Sequence, residues 1–547
     1  MKGGEKLGHP IQSALLVQSA VLVLLSLGAA PLHAQAPAAH HAACSAIAAA
    51  ALPDAKILSA ESTDAGPFSP GQPLPPSPAP AFCRVKVVLT PSADSDIQVE
   101  VWLPDAWNGK YLAIGIGGWG GFVPYPGMLD ALRRGYATSG TDTGHRGNPG
   151  TADFALGHPE KLTDYAWRAV HEMTLQAKSL ISAYYGSATR RSYFSGCSAG
   201  GKQGMMEAQR FPDDFDGLIV GSAASDWVGL NTGSLYNSLL NLPKDRPPIL
   251  TPVQGALLHK AVVAQCDRLD GLEDGEVADP RVCKFNATSL LCKPGQPAEQ
   301  CLTGEQTAVA DKLYRAVRDP NTGHLIEPGF TPSSESGWGA VPVPMPPAVG
   351  YFKDVLFDNP NWDPYKFNLG LDYEVASRND TISAINPDLS AFVAHGGKLL
   401  QYHGWSDPII PTETAINYYE SVVTQQHGLD KVSAFYKLYL VPGMGHCSGG
   451  YQVDWVGALD LWVEQGQSPE QVIGRRLPQV STAAPGGGPQ PEAESNAPTR
   501  PICAYPGVAH YTGRGSSDTA ASFSCRVSAR GPRPGDGPAV AIGVSKP

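Results

Sequence analysis

Two residues far apart in this chain each have a cysteine as neighbour, and that pairing constrains the fold more than any other feature. Ser198 sits in Gly196-Cys197-Ser198-Ala199-Gly200, a G-x-S-x-G match, and His446 precedes Cys447 near the C-terminal end. Asp407 lies between them, so the chain order is Ser, Asp, His, the order in which α/β hydrolases present their nucleophile, acid and base. If Cys197 and Cys447 form a disulfide, their Cα atoms lie roughly 4.4–6.8 Å apart. One covalent bond then holds a nucleophile and a base in register.

The pattern around these residues is that of alternating strands and helices. Residues 96–102 alternate apolar and polar side chains, and 111–116 form an apolar run ending in Gly117-Gly118-Trp119-Gly120-Gly121. A third strand is expected at 136–138. Residues 164–185 carry apolar side chains at helical spacing (Ala166, Val170, Met173, Ala177, Leu180, Ile181). Then come a short strand at 192–194, the G-x-S-x-G turn, a helix through Met205, Met206 and Ala208, and a buried strand at 218–220. Such alternation implies a largely parallel sheet. From 225 to 385 the chain reads as irregular, with four cysteines and many Pro, Asn and Asp. Alternation resumes with a strand at 398–402, a helix at 413–423, a strand at 436–441 and a helix at 455–464. At 547 residues the chain is too long for one simple core. The expected architecture is an α/β-hydrolase core in two parts, 35–224 and 386–547, the second ending in a C-terminal tail. A large lid insertion, 225–385, lies between them. Residues 66–82 are Pro-rich and extended, and 483–499 form a Pro/Gly-rich linker.

The N-terminus reads as an export signal. Lys2 and Lys6 precede a largely apolar stretch at 11–30, and small residues follow, giving a signal peptide over 1–34. Gln12, Ser13, Gln18 and Ser19 interrupt the stretch and favour cleavage over a retained anchor. No second long apolar run follows, so no membrane contact is expected after cleavage and the mature protein is expected to be secreted or periplasmic. The net charge of −11 argues against a nucleic-acid partner and against an anionic membrane surface. Ten cysteines in an oxidising compartment suit five disulfides. Sequence alone leaves their connectivity open; nearness along the chain favours Cys266–Cys283, Cys292–Cys301 and Cys503–Cys525, and Cys44–Cys83 would staple the N-terminal segment, which leaves Cys197 and Cys447. Paired C-x-x-C knuckles of the kind that bind zinc do not occur.

A serine hydroxyl is a weak nucleophile and needs a base beside it. His446 would take the Ser198 proton and pass it to the leaving group, and Asp407 would fix the imidazole tautomer and stabilise its positive form. The bland alternative makes Asp407-Pro408 a turn start and His446 a loop residue, but it leaves both flanking cysteines unexplained. An acyl-transfer site also needs two N–H donors for the oxyanion. One is Ala199, directly after the nucleophile, and the other is Gly118 in the glycine-rich turn. In the insertion, Asp267, Asp270 and Asp274 lie in one short loop with two glycines. Their carboxylates, with the carbonyls of Leu272 and Glu276, suit a structural Ca²⁺; the same stretch also reads as a solvated acidic turn.

Together these residues resemble the tannase and feruloyl esterase family, which includes the bacterial hydrolase of mono(2-hydroxyethyl) terephthalate. The carrying motifs are Gly196-Cys197-Ser198-Ala199-Gly200-Gly201, the run from Cys266-Asp267 to Asp274-Gly275, His403-Gly404-Trp405-Ser406-Asp407 and Pro442-Gly443-Met444-Gly445-His446-Cys447. Trp107-Asn108-Gly109 and Arg500-Pro501-Ile502-Cys503 add to them. The resemblance implies an α/β-hydrolase core with a Ca²⁺-bearing lid, a Ser198–Asp407–His446 triad joined through Cys197–Cys447, and oxyanion donors at Gly118 and Ala199. It also implies the five disulfides above. It implies a serine esterase acting on small esters of aromatic acids, hydroxycinnamic or hydroxybenzoic, such as those attached to plant polymers. Feruloyl-esterase-like activity comes first, then tannase activity on gallate esters, then terephthalate monoester hydrolysis, then a catalytically silent calcium-binding protein of the same fold. Two positions depart from the family pattern. Glu276 stands where an apolar residue is usual, and Gly339 stands where the terephthalate hydrolase has its substrate-gripping arginine, beside Trp338, which reads either as a ring packing on the substrate or as plain core of the lid.

Overall fold

The computed structural model describes Met1 and residues 43–71, 74–478 and 493–527. The signal reading at 1–34 and most of the linker lie outside the described residues. Nine strands form one sheet: β1 (Ala55–Thr63), β2 (Phe82–Leu89), β3 (Ile97–Pro104), β4 (Lys110–Ile114), β5 (Ala137–Thr141), β6 (Arg191–Cys197), β7 (Gly217–Gly221), β8 (Lys398–Gly404) and β9 (Tyr436–Val441). Their order is β1-β2-β3-β5-β4-β6-β7-β8-β9. The strands from β5 to β9 pair in parallel, and β1, β2 and β3 join them by antiparallel pairing. The sheet is therefore an α/β-hydrolase sheet with a three-stranded antiparallel flank. In that flank Val85 faces Val101 and Val87 faces Val99, so the alternation puts one apolar row into the main core beneath helices.

The parallel register sets where the chemistry can be. Ile114 pairs with Ser195, Cys197 with Gly221, Gly221 with Tyr402, and Gly404 with Val441. The C-terminal ends of β4, β6, β8 and β9 thus share one edge, where open α/β sheets hold their ligands. Helix α1 (Ala169–Tyr185) packs on the sheet, and α2 (Ala199–Arg210) follows the turn after β6.

Between β7 and β8 the chain leaves the sheet, and it is more regular there than its composition suggests. It holds α3 (Trp227–Asn241), α4 (Pro252–Cys266), α5 (Gly304–Leu313) and α6 (Leu369–Arg378). Helix α3 buries Trp227, Gly229, Asn231, Thr232, Leu235 and Asn237, so apolar residues form no clean stripe and the helical period is hidden. Helix α4 begins at a capping box of Thr251 and Gln254. Trp338 belongs to this region's own core: it is buried against Tyr314 (ring centroids 4.9 Å) and Phe330 (6.0 Å), not free to meet a substrate.

Helix α7 (Glu413–Gln425) lies between β8 and β9, and after β9 come α8 (Trp455–Gln465) and a small sheet of β10 (Tyr451–Gln452), β11 (Gln471–Arg476) and β12 (Thr499–Cys503). The expected tail is thus woven back onto the core, with Tyr505 donating its amide to Leu438 at 2.7 Å. All ten cysteines are paired, as Cys44–Cys83, Cys197–Cys447, Cys266–Cys283, Cys292–Cys301 and Cys503–Cys525. Among the described residues no helix is long and apolar enough to cross a membrane.

Candidate active site

Ser198 sits at the sharp turn between β6 and α2 with φ 63° and ψ −123°, a conformation that costs energy for a residue with a side chain. Its neighbours permit the turn by having none. A Cβ on Gly196 would lie 2.5 Å from the Gly200 carbonyl oxygen, and one on Gly201 would lie 2.5 Å from that of Gly221. The Ser198 amide donates to the Gly221 carbonyl at 3.0 Å, and the Ser198 carbonyl accepts from Lys202 (3.0 Å) and Ala224 (3.1 Å).

The loops after β8 and β9 bring the acid and the base to the same place. They touch backbone to backbone: a Cβ on Gly404 would lie 2.2 Å from the Met444 carbonyl oxygen, and Ser406 donates its amide to that carbonyl at 2.9 Å. His446 Nε2 lies 2.9 Å from Ser198 Oγ, and its Nδ1 lies 2.9 Å from Asp407 Oδ2. A carboxylate only accepts, so Nδ1 carries the proton and Nε2 offers its lone pair to the serine hydroxyl. Asp407 is fully buried, and its Oδ1 accepts the amides of Ile409 (2.9 Å) and Ile410 (3.0 Å). Burial opposes its charge, but His446 and His403 outweigh that and hold the carboxyl well below the usual carboxylate range. Cys197–Cys447 spans this site with a Cα–Cα distance of 6.0 Å.

His403 had no role in the sequence reading although it lies in the Asp407 motif. Its Nε2 is 3.0 Å from the Ile410 carbonyl and 3.3 Å from Asp407 Oδ2. A carbonyl accepts only, so Nε2 bears hydrogen and Asp407 has two histidines beside one oxygen. A histidine four residues before the acid, at the end of a buried strand, was the available signal.

Gly118 has φ 60°, and a Cβ there would lie 2.4 Å from the Pro149 carbonyl oxygen, so glycine is required. Among the described residues the amides of Gly118 and Ala199 donate to no protein acceptor, as an oxyanion site demands. Next to both lies an aromatic group. Trp119, Tyr165, Trp227 and Ala199 share one buried cluster with Ile410, and Trp119 lies 4.8 Å from Trp227 and 5.0 Å from Tyr165 between ring centroids. The inserted region also reaches the acid loop: Thr331 donates its hydroxyl to the Trp405 carbonyl at 2.7 Å, and the Ser333 and Ser406 hydroxyls are 3.0 Å apart.

The acidic loop of the insertion lies elsewhere, against β12. Asp267 accepts the amides of Asp274 (3.0 Å) and Gly275 (2.9 Å), and Asp270 Oδ1 accepts that of Leu272 at 3.0 Å. Asp270 Oδ2 is buried with no hydrogen-bond partner, and burial pushes this carboxyl up to about 6. Arg500 contacts Asp274 and lies 3.8 Å from Asp270. An orphaned buried carboxylate oxygen among oxygen donors fits a hard cation, which would share Asp274 with Arg500. The Glu276 side chain is used otherwise, accepting from Tyr451 at 2.8 Å and pairing with Arg476 at 3.2 Å, so only its backbone is free to serve a cation.

Comparison with known proteins agrees with this architecture. The tannase and feruloyl esterase family profile matches residues 83–346 and 352–526. An uncharacterised esterase of Xanthomonas campestris pv. campestris is 35% identical over 542 residues, 90% of this chain and 92% of the relative. Feruloyl esterase C of Talaromyces stipitatus is 33% identical over 467 residues, 81% of this chain and 85% of the relative. The crystal structure of feruloyl esterase B from Aspergillus oryzae superposes with a TM-score of 0.81 at 31% identity, covering 89% of this chain and all of that one.

Proposed function

Because the chain belongs to the tannase and feruloyl esterase family and is thereby a carboxylic ester hydrolase, we propose that it is an exported serine esterase for aromatic-acid esters, working through Ser198, His446 and Asp407. The observation that carries the mechanism is the hydrogen-bonded chain Ser198 Oγ–His446–Asp407, 2.9 Å at each step. Ser198 Oγ attacks the ester carbonyl as His446 Nε2 takes its proton. The oxyanion receives the amides of Gly118 and Ala199. Collapse of the tetrahedral intermediate expels the alcohol, which takes the proton from His446, and leaves an acyl-serine. A water molecule, deprotonated by His446, then attacks the acyl carbon and releases the acid. Asp407 stays ionised and balances the imidazolium.

An aromatic acid of the hydroxycinnamic type is supported by relatives that carry the feruloyl esterase name. Gallate esters are the nearest alternative. Terephthalate monoesters rank lower. Gly339 has φ 74°, and a Cβ there would lie 2.6 Å from the Leu250 carbonyl oxygen, so an arginine could not replace it without moving the backbone. Ca²⁺ is proposed for the loop of Asp267, Asp270 and Asp274 with the carbonyls of Leu272 and Glu276, where it would brace the insertion against β12; no step of the reaction involves it. Export rests on the N-terminal sequence and on five disulfides.

The test is initial rates on methyl ferulate, methyl gallate, mono(2-hydroxyethyl) terephthalate and 4-nitrophenyl acetate, each with Ser198→Ala alongside. Turnover of methyl ferulate above the others, lost in the variant, is the expected result. Equal rates in the variant would overturn the serine mechanism, and preference for gallate would move the assignment to a tannase. Turnover of none would point to the silent calcium-binding protein.

A further inference from the structure

We infer that Tyr165 and Lys202 are positioning residues for the oxyanion site, a buried strut that fixes the spacing between its two N–H donors. The inference rests on the reading of Gly118 and Ala199 as those donors. They come from separate segments: Ala199 opens α2, and Gly118 lies in the turn after β4. A single developing oxyanion has to meet both amides at about 2.7–3.1 Å, so something has to set the distance between the segments.

The strut can be followed atom by atom. Lys202 lies on α2 and donates its amide to the Ser198 carbonyl at 3.0 Å. Its side chain is fully buried, and Nζ donates to the Ala166 carbonyl at 2.9 Å. Nζ also lies 4.8 Å from the centroid of the Tyr165 ring and 5.8 Å from that of Trp227. Tyr165, on the same turn as Ala166, donates its hydroxyl to the Gly118 carbonyl at 2.8 Å. The next amide, Trp119, donates to the Pro149 carbonyl at 2.8 Å. The Gly118–Trp119 peptide, which directly follows the Gly118 N–H, is therefore gripped on both sides.

The turn that carries Tyr165 is a π-helical segment, Asp164–Arg168, just before α1. Such segments are rare and occur often at functional sites. It is braced from outside, with Arg168 Nε 2.6 Å from Asp164 Oδ1 and Ser95 Oγ 3.2 Å from the same oxygen. Burying a lysine amine with a single carbonyl acceptor and two ring faces is expensive, and burial pushes it down to about 7. A methionine or leucine would fill this space at lower cost, so stability alone does not account for Lys202. Burial also raises the Tyr165 phenol well above its ordinary value, which keeps it a donor.

The experiment compares Tyr165→Phe, Lys202→Met and Lys202→Arg in the full chain. It measures kcat and KM on 4-nitrophenyl acetate and methyl ferulate, melting temperature, and inhibition by phenylboronic acid, whose serine adduct is tetrahedral, against inhibition by the free acid product. The strut predicts that Tyr165→Phe and Lys202→Met each lower kcat about tenfold and weaken boronic acid binding by a similar factor. KM and product inhibition should stay within twofold, and Lys202→Arg should recover most of the loss. It is overturned if Tyr165→Phe keeps kcat within twofold, or if boronate and product binding weaken together. Labelling of wild-type Ser198 by a fluorophosphonate separates the two levels. A labelled, active enzyme with unaffected variants sinks only the strut, whereas an unlabelled wild type sinks the serine reading and the strut with it.

Discussion

Removing Cys197–Cys447, as in the double variant C197A/C447A, should cost this protein both stability and rate. The bond closes a loop of 250 residues, for which the chain-entropy relation gives about 5.5 kcal/mol at 25 °C. Cys266–Cys283 and Cys292–Cys301 lie inside that loop, spanning 17 and 9 residues; they shorten it by about a tenth and change the figure by only about 0.1 kcal/mol. The rate effect comes from geometry. Strands β6 and β9 are separated by β7 and β8, roughly 14 Å at the usual strand spacing, yet the two Cα atoms are 6.0 Å apart. The loop bearing His446 is therefore drawn across the ends of two strands. Without the bond it is held by weaker contacts such as the Ser406 amide on the Met444 carbonyl (2.9 Å). Misplacement of a base by about 1 Å can cost roughly a hundredfold, so kcat on 4-nitrophenyl acetate should fall about 10- to 100-fold. Urea unfolding reads the first effect, and initial rates at 25 °C, with the fold checked by circular dichroism, read the second. A folded double variant with kcat within twofold of wild type would refute the positional role.

Other outcomes follow from the same structure. Asp407→Asn should lower kcat by about 10⁴ with little change in KM, because the amide no longer selects the Nδ1–H tautomer of His446; steady-state kinetics check it. If the loop of Asp267, Asp270 and Asp274 holds Ca²⁺ as proposed, EDTA should lower the melting temperature by roughly 1–4 °C and leave kcat at 25 °C unchanged, and no thermal shift would remove the Ca²⁺ proposal. Glu207→Gln should reveal a pH dependence of stability. Glu207 is buried, and burial, then Asp214 beside it, pushes its carboxyl well above the usual range. The folded state then binds a proton that the unfolded chain releases above about 4.5, so this contribution is complete below that pH and is lost as pH rises through the folded value. Melting curves from pH 4.5 to 8 should show the wild type losing stability relative to the glutamine variant; parallel curves would exclude it.

What could be read from the chain and what could not divide along a physical line. The C-terminal ends of parallel strands gather at one sheet edge, so a G-x-S-x-G turn after one strand, an aspartate after a second and a histidine after a third are legible as neighbours once the alternation is seen. The flanking cysteines added a distance constraint that periodicity lacks. Legibility failed where side chains act through tertiary contacts without periodicity. Helix α3 shows no stripe because it is buried on several sides by residues as varied as Trp227, Asn231 and Thr232. Trp338 stayed open between substrate surface and lid core because an aromatic in an inserted region looks the same whether it meets a ligand or Tyr314. Lys202 and Tyr165 were invisible for a sharper reason. Tyr165 lies inside the stretch read as an ordinary helix, where a five-residue π turn leaves no mark in hydrophobic spacing, and a lysine one turn into a helix is normally taken to face solvent. His403 shows the intermediate case, placed by its motif but given a purpose only by its 3.3 Å approach to Asp407. Groups that touch the reacting atoms are thus encoded by position in the topology, while the groups that hold them are encoded only by the packing that topology produces.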